Sequence, residues 1–194
     1  MHPLSLFHFC PKCGSPHFVD NDEKSKRCLS CGFIYYFNPA AATVALIERE
    51  APQTADDELA DCKSSNRPIE WCVVRRAKQP ALGTLDLPGG FSDLYETSEE
   101  GVCREVLEET GLHVIDTQFL FSLPNIYEYS GFQVHTIDMF YRCQVEDTEV
   151  ACAHDDAGEV LWMRPEDIHP GDFGLVSIRR GVERLLEAYK RRGF

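Results

Sequence analysis

After residue 39, the hydrophobic positions of the chain mostly follow the two-residue period or the short apolar runs typical of β-strands. In the segment 132–145, Ile137, Met139 and Tyr141 occupy every second position. Further strands are predicted where β-branched and aromatic residues cluster: AAATVALIE (40–48), EWCVVRR (70–76), TQFLFS (117–122) and EVLWM (159–163).

Two other segments carry helical signals. Residues 97–110 are predicted to be a helix, because Thr97 and Glu100 have the spacing of a capping box and Gly111 stands where a helix commonly ends. The segment 177–192, SIRRGVERLLEAYKRR, is amphipathic and has a basic end. Strands and two helices mixed in this order predict a layered α/β domain.

Two connections between these elements are unusual. Residues 50–68 are polar and contain few large apolar groups, so they are expected to be a mobile surface insertion. The segment TLDLPGGF (84–91) is predicted to be a short strand that enters a Pro-Gly-Gly turn directly before the first helix.

The N-terminal part of the chain contains two Cys-x-x-Cys pairs, separated by fourteen residues and each followed by Gly: Cys10, Cys13, Cys28 and Cys31. A single pair could be a redox site, but two in tandem at this spacing favour a tetrahedral structural Zn²⁺. With four cysteine ligands, no coordination position remains open for chemistry. We therefore predict a small zinc ribbon over residues 1–38 and a larger domain over residues 39–194.

The overall charge limits the partners. Asp and Glu number 32 against 19 Lys and Arg, which gives a formal net charge of −13. This balance disfavours nonspecific binding to nucleic acid, which needs a field of basic residues. The sequence contains no apolar run long enough for a membrane span and no signal-peptide pattern, so a cytoplasmic protein without a membrane partner is expected.

The first helix carries an acidic face. Glu105, Glu108 and Glu109 fall within an arc of about 100° on a helical projection. The opposite side is expected to pack on the sheet; it consists of Cys103, Val106, Leu107 and Thr110. Glutamate-rich faces are often merely solvated. Crowded carboxylates just after a Gly-Gly turn also suit a hard divalent cation such as Mg²⁺, which prefers oxygen ligands.

The spacing of the residues around these carboxylates favours a cation site over a merely solvated face. It reads Gly90, five residues, Glu96, seven residues, Arg104-Glu105-Val106, one residue, Glu108-Glu109, one residue, Gly111-Leu112. This pattern resembles the Nudix box in every fixed position, and the preceding LPGG is similar to the family's usual lead-in. The resemblance implies a Nudix α/β/α sandwich with a mixed sheet, here preceded by the zinc ribbon.

The resemblance also implies roles for the box residues. It makes Glu105, Glu109 and the Gly90 carbonyl ligands of a catalytic Mg²⁺ or Mn²⁺, and Glu108 a further ligand that binds directly or through a water. Arg104 would hold a glutamate in position by a charge-assisted hydrogen bond, and Glu96 could pair with Arg104 to fix the loop. Family members differ in their general base, so both Glu105 and Glu159 of the EVLWM strand are candidates.

The function implied is hydrolysis of the pyrophosphate of a nucleoside diphosphate linked to another moiety, such as ADP-ribose, NAD(H) or FAD, with release of a nucleoside monophosphate. A ribbon before such a domain is similar to the NADH pyrophosphatase branch, but the branch's Ser-Gln-Pro-Trp-Pro-Phe-Pro signature corresponds here to SLPNIY (122–127). Arg75 and Arg76 are candidates for phosphate binding. Tyr127, in a stretch expected to be a loop, is a candidate for base stacking.

Two other functions stay open at this stage. One is a non-catalytic nucleotide sensor, although sensors of this family tend to lose box carboxylates. The other is a Nudix enzyme acting on nucleoside triphosphates or on capped RNA, of which RNA is disfavoured by the net charge. Similar dinucleotide hydrolases are often homodimers, so the resemblance allows a homodimer here.

Overall fold

The computed structural model describes residues 2–52, 68–129, 131–146, 151–153 and 157–191. Most of the expected surface insertion, residues 53–67, lies outside this part of the chain. The described residues form a small three-stranded sheet near the N-terminus and a larger domain in which two helices cover a seven-stranded sheet.

The small sheet consists of strands β1 (Phe18–Asp22), β2 (Ser25–Cys28) and β3 (Ile34–Tyr36), which pair antiparallel in chain order. Its core is small and is formed by Cys10, Phe18 and Cys28. The sheet packs on the larger domain through aromatic rings. The ring of Phe132 lies edge-on against Phe7 and Phe37, with centroid separations of 5.7 and 5.6 Å.

The large sheet is mixed. Its strands are β4 (Ala40–Glu50), β5 (Ile69–Arg76), β6 (Leu85–Asp86), β7 (Gly89–Phe91), β8 (Val114–Tyr129), β9 (Phe132–Val145) and β10 (Ala157–Met163). The main order is β10-β5-β4-β9-β8, with β6 paired to β5 and β7 paired to β4. The β4–β9 pair is parallel and the others are antiparallel. All five strands expected from the hydrophobic pattern are present.

The two helices lie on opposite faces of this sheet, as the α/β/α expectation requires. Helix α1 (Ser98–Thr110) packs Val102 and Val106 on one face, and helix α2 (Val176–Arg191) packs Ile178, Val182 and Leu185 on the other. Neither helix is a candidate for a membrane span, since within the described part of the chain no helix combines the required length and apolar character.

One expected loop is a strand. Tyr127 lies in β8, whose antiparallel pairing with β9 continues to Tyr129 opposite Phe132. The loop expectation was wrong: β8 is an edge strand, the position in a sheet where a proline such as Pro124 is tolerated.

Close packing of α2 on the sheet depends on Gly181. A methyl group at this position would enter the ring of Phe140, which is fully buried in the core. We expect Gly181→Ala to lower the free energy of unfolding, because overpacking costs about 1–3 kcal/mol and outweighs the helix-propensity gain of about 1 kcal/mol. Urea denaturation measures the change. Gly171→Ala is the control, since nothing lies within 4 Å of a methyl group there, and an unchanged stability of Gly181→Ala would contradict this packing.

Candidate active site and metal centres

The four N-terminal cysteines come together at one end of the small sheet. Their sulfur atoms lie within 4.8 Å of one another, with Cys10 Sγ 3.8 Å from Cys31 Sγ and Cys13 Sγ 3.7 Å from Cys28 Sγ. Four Zn–S bonds of about 2.3 Å in a tetrahedron separate the sulfurs by about 3.8 Å. The donor set and its spacing therefore fit a structural Zn²⁺.

Each cysteine pair is closed by a glycine in the left-handed region. Gly14 has φ 72° and Gly32 has φ 75°. Their amides donate to the carbonyls of Cys10 and Cys28 at 2.8 and 2.9 Å. A residue with a Cβ is strained in this conformation, which explains why glycine follows both pairs.

Helix α1 begins and ends where the sequence predicts. Thr97 is the N-cap, and its hydroxyl accepts from the Glu100 amide while the Glu100 carboxylate accepts from the Thr97 amide. Gly111 ends the helix with φ 71° and donates to the Leu107 carbonyl. These signals fix the rotation of α1 and hence the direction of its glutamates.

Arg104 is the centre of the acidic cluster. Its guanidinium binds Glu96 through two hydrogen bonds of 3.1 and 2.8 Å and donates to Glu105 and Glu108 at 2.8 and 3.0 Å. It also donates to the Phe91 carbonyl at 2.9 Å. The expected pairing of Arg104 with Glu96 is confirmed. One guanidinium thus hydrogen-bonds three carboxylates, with Asp93 Oδ2 a further 3.8 Å from its Nε, and the remaining negative charge is what a bound cation would neutralise.

These contacts change the acidities of the cluster. The hydrogen bonds from Arg104, together with the Asp93 amide, lower the pKa of Glu96 to about 2. Burial raises the pKa of Glu105, and the hydrogen bond and charge of Arg104 only partly oppose this rise. Glu96 is therefore a permanent anion that holds Arg104, whereas Glu105 is the more basic carboxylate of the pair.

Glu109 differs from its neighbours because it is buried rather than solvent-facing. Its Oε2 accepts from the Gly89 amide at 3.0 Å, so this carboxylate joins the helix to strand β7. The expectation of a turn at these glycines was wrong, because Gly89 and Gly90 pair with Val44 and Thr43 of β4. The expectation that Leu107 packs on the sheet was wrong. Leu107 is 41 % exposed, because the buried stripe runs through Val102, Val106 and Thr110 instead.

The two glycines of β7 place backbone directly against the glutamates. A methyl group at Gly90 would lie 2.6 Å from Glu105 Oε1, and one at Gly89 would overlap the Thr43 carbonyl. Gly89 also has φ 153°. The Gly90 carbonyl and the carboxylates of Glu105, Glu108 and Glu109 are the ligand types that Mg²⁺ and Mn²⁺ prefer, so their chemistry fits such a cation. Within the described residues, the glutamate oxygens do not converge within 4.8 Å as the cysteine sulfurs do.

The two glycines should respond differently to alanine. We expect Gly90→Ala to displace the Glu105 carboxylate and lower kcat/KM by at least about tenfold, with little change in Tm, since small misplacements of reacting groups are costly. Gly89→Ala should instead lower Tm, because its clash is with backbone. Thermal unfolding and kinetics on both variants check this contrast, and wild-type kinetics in Gly90→Ala would contradict it.

A cavity of about 330 Å³ lies beside the two glycines of β7. Gly89, Gly90 and Glu109 line it together with Arg76 and Asp86, which form an ion pair at 2.5 Å. Further residues that line the cavity are Asn125, Thr136, Asp138, Leu175 and Ile178. No pattern in the sequence pointed to Asn125, Thr136 and Asp138, because only the pairing of β8 with β9 brings them together.

Two of the remaining predicted site residues, Glu159 and Arg75, contact each other rather than the box glutamates. Glu159 Oε2 accepts from Arg75 Nε at 3.0 Å, and Arg75 also donates to the Gly83 carbonyl. Of the two adjacent arginines, Arg76 lines the cavity, and Arg75 is not among the described lining residues. The side chain of Tyr127 lies outside the described part of the structure.

Sequence comparison identifies both parts of the chain. The NUDIX domain model matches residues 65–181, and the NADH pyrophosphatase zinc ribbon domain model matches residues 6–36. The protein belongs to the Nudix family. This Nudix protein has a zinc ribbon of the NADH pyrophosphatase type, so the structural zinc expected from the cysteines agrees with both the geometry and the family.

Its relatives include two proteins named NAD-capped RNA hydrolase NudC. The one from Deinococcus radiodurans is 27% identical over 186 residues, covering 95% of this chain and 59% of the relative. The one from Vibrio parahaemolyticus is 24% identical over 189 residues, covering 95% of this chain and 63% of the relative. The Nudix chain thus spans about three fifths of the length of these relatives.

Solved structures support the fold. A NUDIX hydrolase from Nitrosomonas europaea superimposes with a TM-score of 0.65 at 21% identity, covering 95% of this chain and 93% of that one. The NUDIX domain of Shewanella oneidensis NrtR, solved in complex with ADP ribose, superimposes with a TM-score of 0.56 at 18% identity, covering 81% and 90%.

Proposed function

We propose that this Nudix protein is a divalent-metal-dependent hydrolase. It would cleave the pyrophosphate of a nucleoside diphosphate linked to another moiety, such as ADP-ribose, NAD(H) or FAD, and release a nucleoside monophosphate. The observation that supports this most is the Arg104-centred glutamate cluster beside a cavity of ligand size.

In this proposal, Glu105, Glu108, Glu109 and the Gly90 carbonyl hold Mg²⁺ or Mn²⁺. When bound, the cation lowers the pKa of a coordinated water and stabilises charge on the phosphate oxygens. Arg104 acts by holding Glu105 and Glu108 in position, while Glu96 keeps Arg104 oriented.

We infer that Glu105 is the general base. Its carboxylate is largely buried and lies directly against Gly90, beside the proposed cation site, which places it to accept a proton from a coordinated water. The side chain of Glu159, the alternative base, is 49 % exposed, against 15 % for Glu105. Arg76 is the better candidate than Arg75 for phosphate binding, because Arg76 lines the cavity. Tyr127 stays a candidate for base stacking.

The printed names of relatives suggest which substrates to test first. Proteins named NAD-capped RNA hydrolase point to NAD-type linkages, and the NrtR domain binds ADP ribose. The net charge of −13 favours the free nucleotides over RNA. From the sequence pattern and the family resemblance we also propose a division at residues 38 and 39, a cytoplasmic location and a homodimer.

The experiment is a substrate panel with Mg²⁺ or Mn²⁺, read by product identity. ADP-ribose, NADH, NAD⁺, FAD, NAD-capped RNA and nucleoside triphosphates are the compounds. Release of AMP from the dinucleotides and ADP-ribose supports the proposal. Tight binding of these compounds without turnover across both metals would overturn it and favour the sensor alternative.

A further inference from the structure

One wall of the cavity is polar although it is buried. Asn125 of β8 stands directly opposite Thr136 of β9, and Asp138 follows two residues later on the same face. The three side chains are 9, 2 and 5 % exposed, respectively. Polar groups at this depth are normally satisfied by protein partners.

One of these polar groups is used within the wall itself. The Thr136 hydroxyl donates to Asp138 Oδ1 at 2.5 Å. No cationic side chain among the described residues lies within ion-pair distance of Asp138; Arg76, the guanidinium that lines the cavity, pairs with Asp86. Asn125 lines the same cavity, so an amide stands beside this carboxylate. A buried carboxylate without a cationic partner is costly.

We propose that Asp138 and Asn125 form the base-recognition site of this enzyme and select adenine. The inference rests on the proposed function, since it assigns the nucleoside part of that substrate. The Asp138 carboxylate accepts from the exocyclic amino group, and the Asn125 amide donates to the neighbouring ring nitrogen. Hypoxanthine presents a carbonyl oxygen at the amino position, which the carboxylate repels.

The rest of the cavity agrees with a purine and an adjoining pyrophosphate. Leu175 and Ile178 supply apolar surface for the ring faces. Gly90 and Glu109 line the same cavity, so a base held by Asp138 leaves the phosphates near the glutamate cluster. The volume of about 330 Å³ lies within the usual range for small-ligand sites.

The test compares ADP-ribose with inosine diphosphate ribose. We expect the wild type to favour the adenine compound by at least about tenfold in kcat/KM. Asp138→Asn should lower kcat/KM for ADP-ribose by about 10- to 100-fold and leave the hypoxanthine compound unchanged or improved, since its new amide can donate to the carbonyl. Asp116→Asn, an exposed change in β8, is the matched control.

A uniform loss on both compounds, or no loss on either, would overturn the inference. Asn125→Ala, expected to lower the same preference, tests it again if Asp138→Asn folds poorly. Calorimetry of AMP and IMP binding without metal measures base recognition separately from the proposed hydrolase activity. An AMP preference lost in Asp138→Asn supports base recognition even if hydrolysis is never seen, whereas hydrolysis without base preference refutes base recognition alone.

Discussion

Glu105→Gln is expected to lower the turnover of the best panel substrate by about 10²- to 10⁴-fold. The change replaces one oxygen by an NH₂ group and keeps the size of the side chain. It removes both the negative charge beside Gly90 and the proton acceptor of the proposed mechanism. Arg104 keeps its bonds to Glu96 and to the Phe91 carbonyl, so the loop should remain in place.

The structure also predicts what happens to stability in this variant. Burial raises the pKa of Glu105, which means that the fold disfavours its charge. A neutral glutamine should therefore leave Tm unchanged or slightly higher. Steady-state kinetics at saturating metal and thermal unfolding measure the two effects. Glu183→Gln, on the exposed face of α2, is the control, and wild-type turnover in Glu105→Gln would refute the assignment.

Removal of zinc is expected to unfold the N-terminal ribbon. Structural zinc contributes about 10–16 kcal/mol in zinc-finger peptides, and the ribbon core, built around Phe18 and two of the ligands themselves, is too small to replace it. Metal analysis should find one Zn²⁺ per chain, lost in a double Cys10→Ser, Cys28→Ser variant. Amide exchange in strands β1–β3 should then become fast.

The same experiment tests how the ribbon supports the larger domain. Because Phe7 and Phe37 pack on Phe132, loss of the ribbon should also loosen the end of the β8–β9 hairpin. Helix α1 should stay protected, since its contacts are with the large sheet. Cys152→Ser, at an exposed cysteine outside the cluster, is the control. A ribbon that remains protected without metal would refute the zinc assignment.

Signals that act over a few residues made much of this protein predictable. The capping box at Thr97 and the left-handed Gly111 bounded α1 correctly, because both depend on hydrogen bonds within one or two turns. The two cysteine pairs indicated the ribbon for a similar reason. Strand assignment failed around Tyr127, because its pairing with β9 is not visible in the sequence alone.

Burial on the box helix was less predictable. A helical projection placed Glu109 with Glu105 and Glu108, yet the Gly89 amide draws Glu109 into the interior. The projection likewise placed Leu107 on the packed side, whereas it is exposed. Both outcomes depend on how strand β7, with Gly89 and Gly90, packs against α1, which is a tertiary contact.

The sequence by itself therefore determined the family, the ribbon and the chemical character of the site, since spacing along a helix or between cysteines carries that information. Only the tertiary structure decided that Arg76, rather than Arg75, lines the cavity and that Glu159 is engaged by Arg75. It also decided that Asn125 and Asp138 share a buried wall. The physical reason is that sheet register joins residues far apart in the chain, and no local pattern encodes which strands will pair.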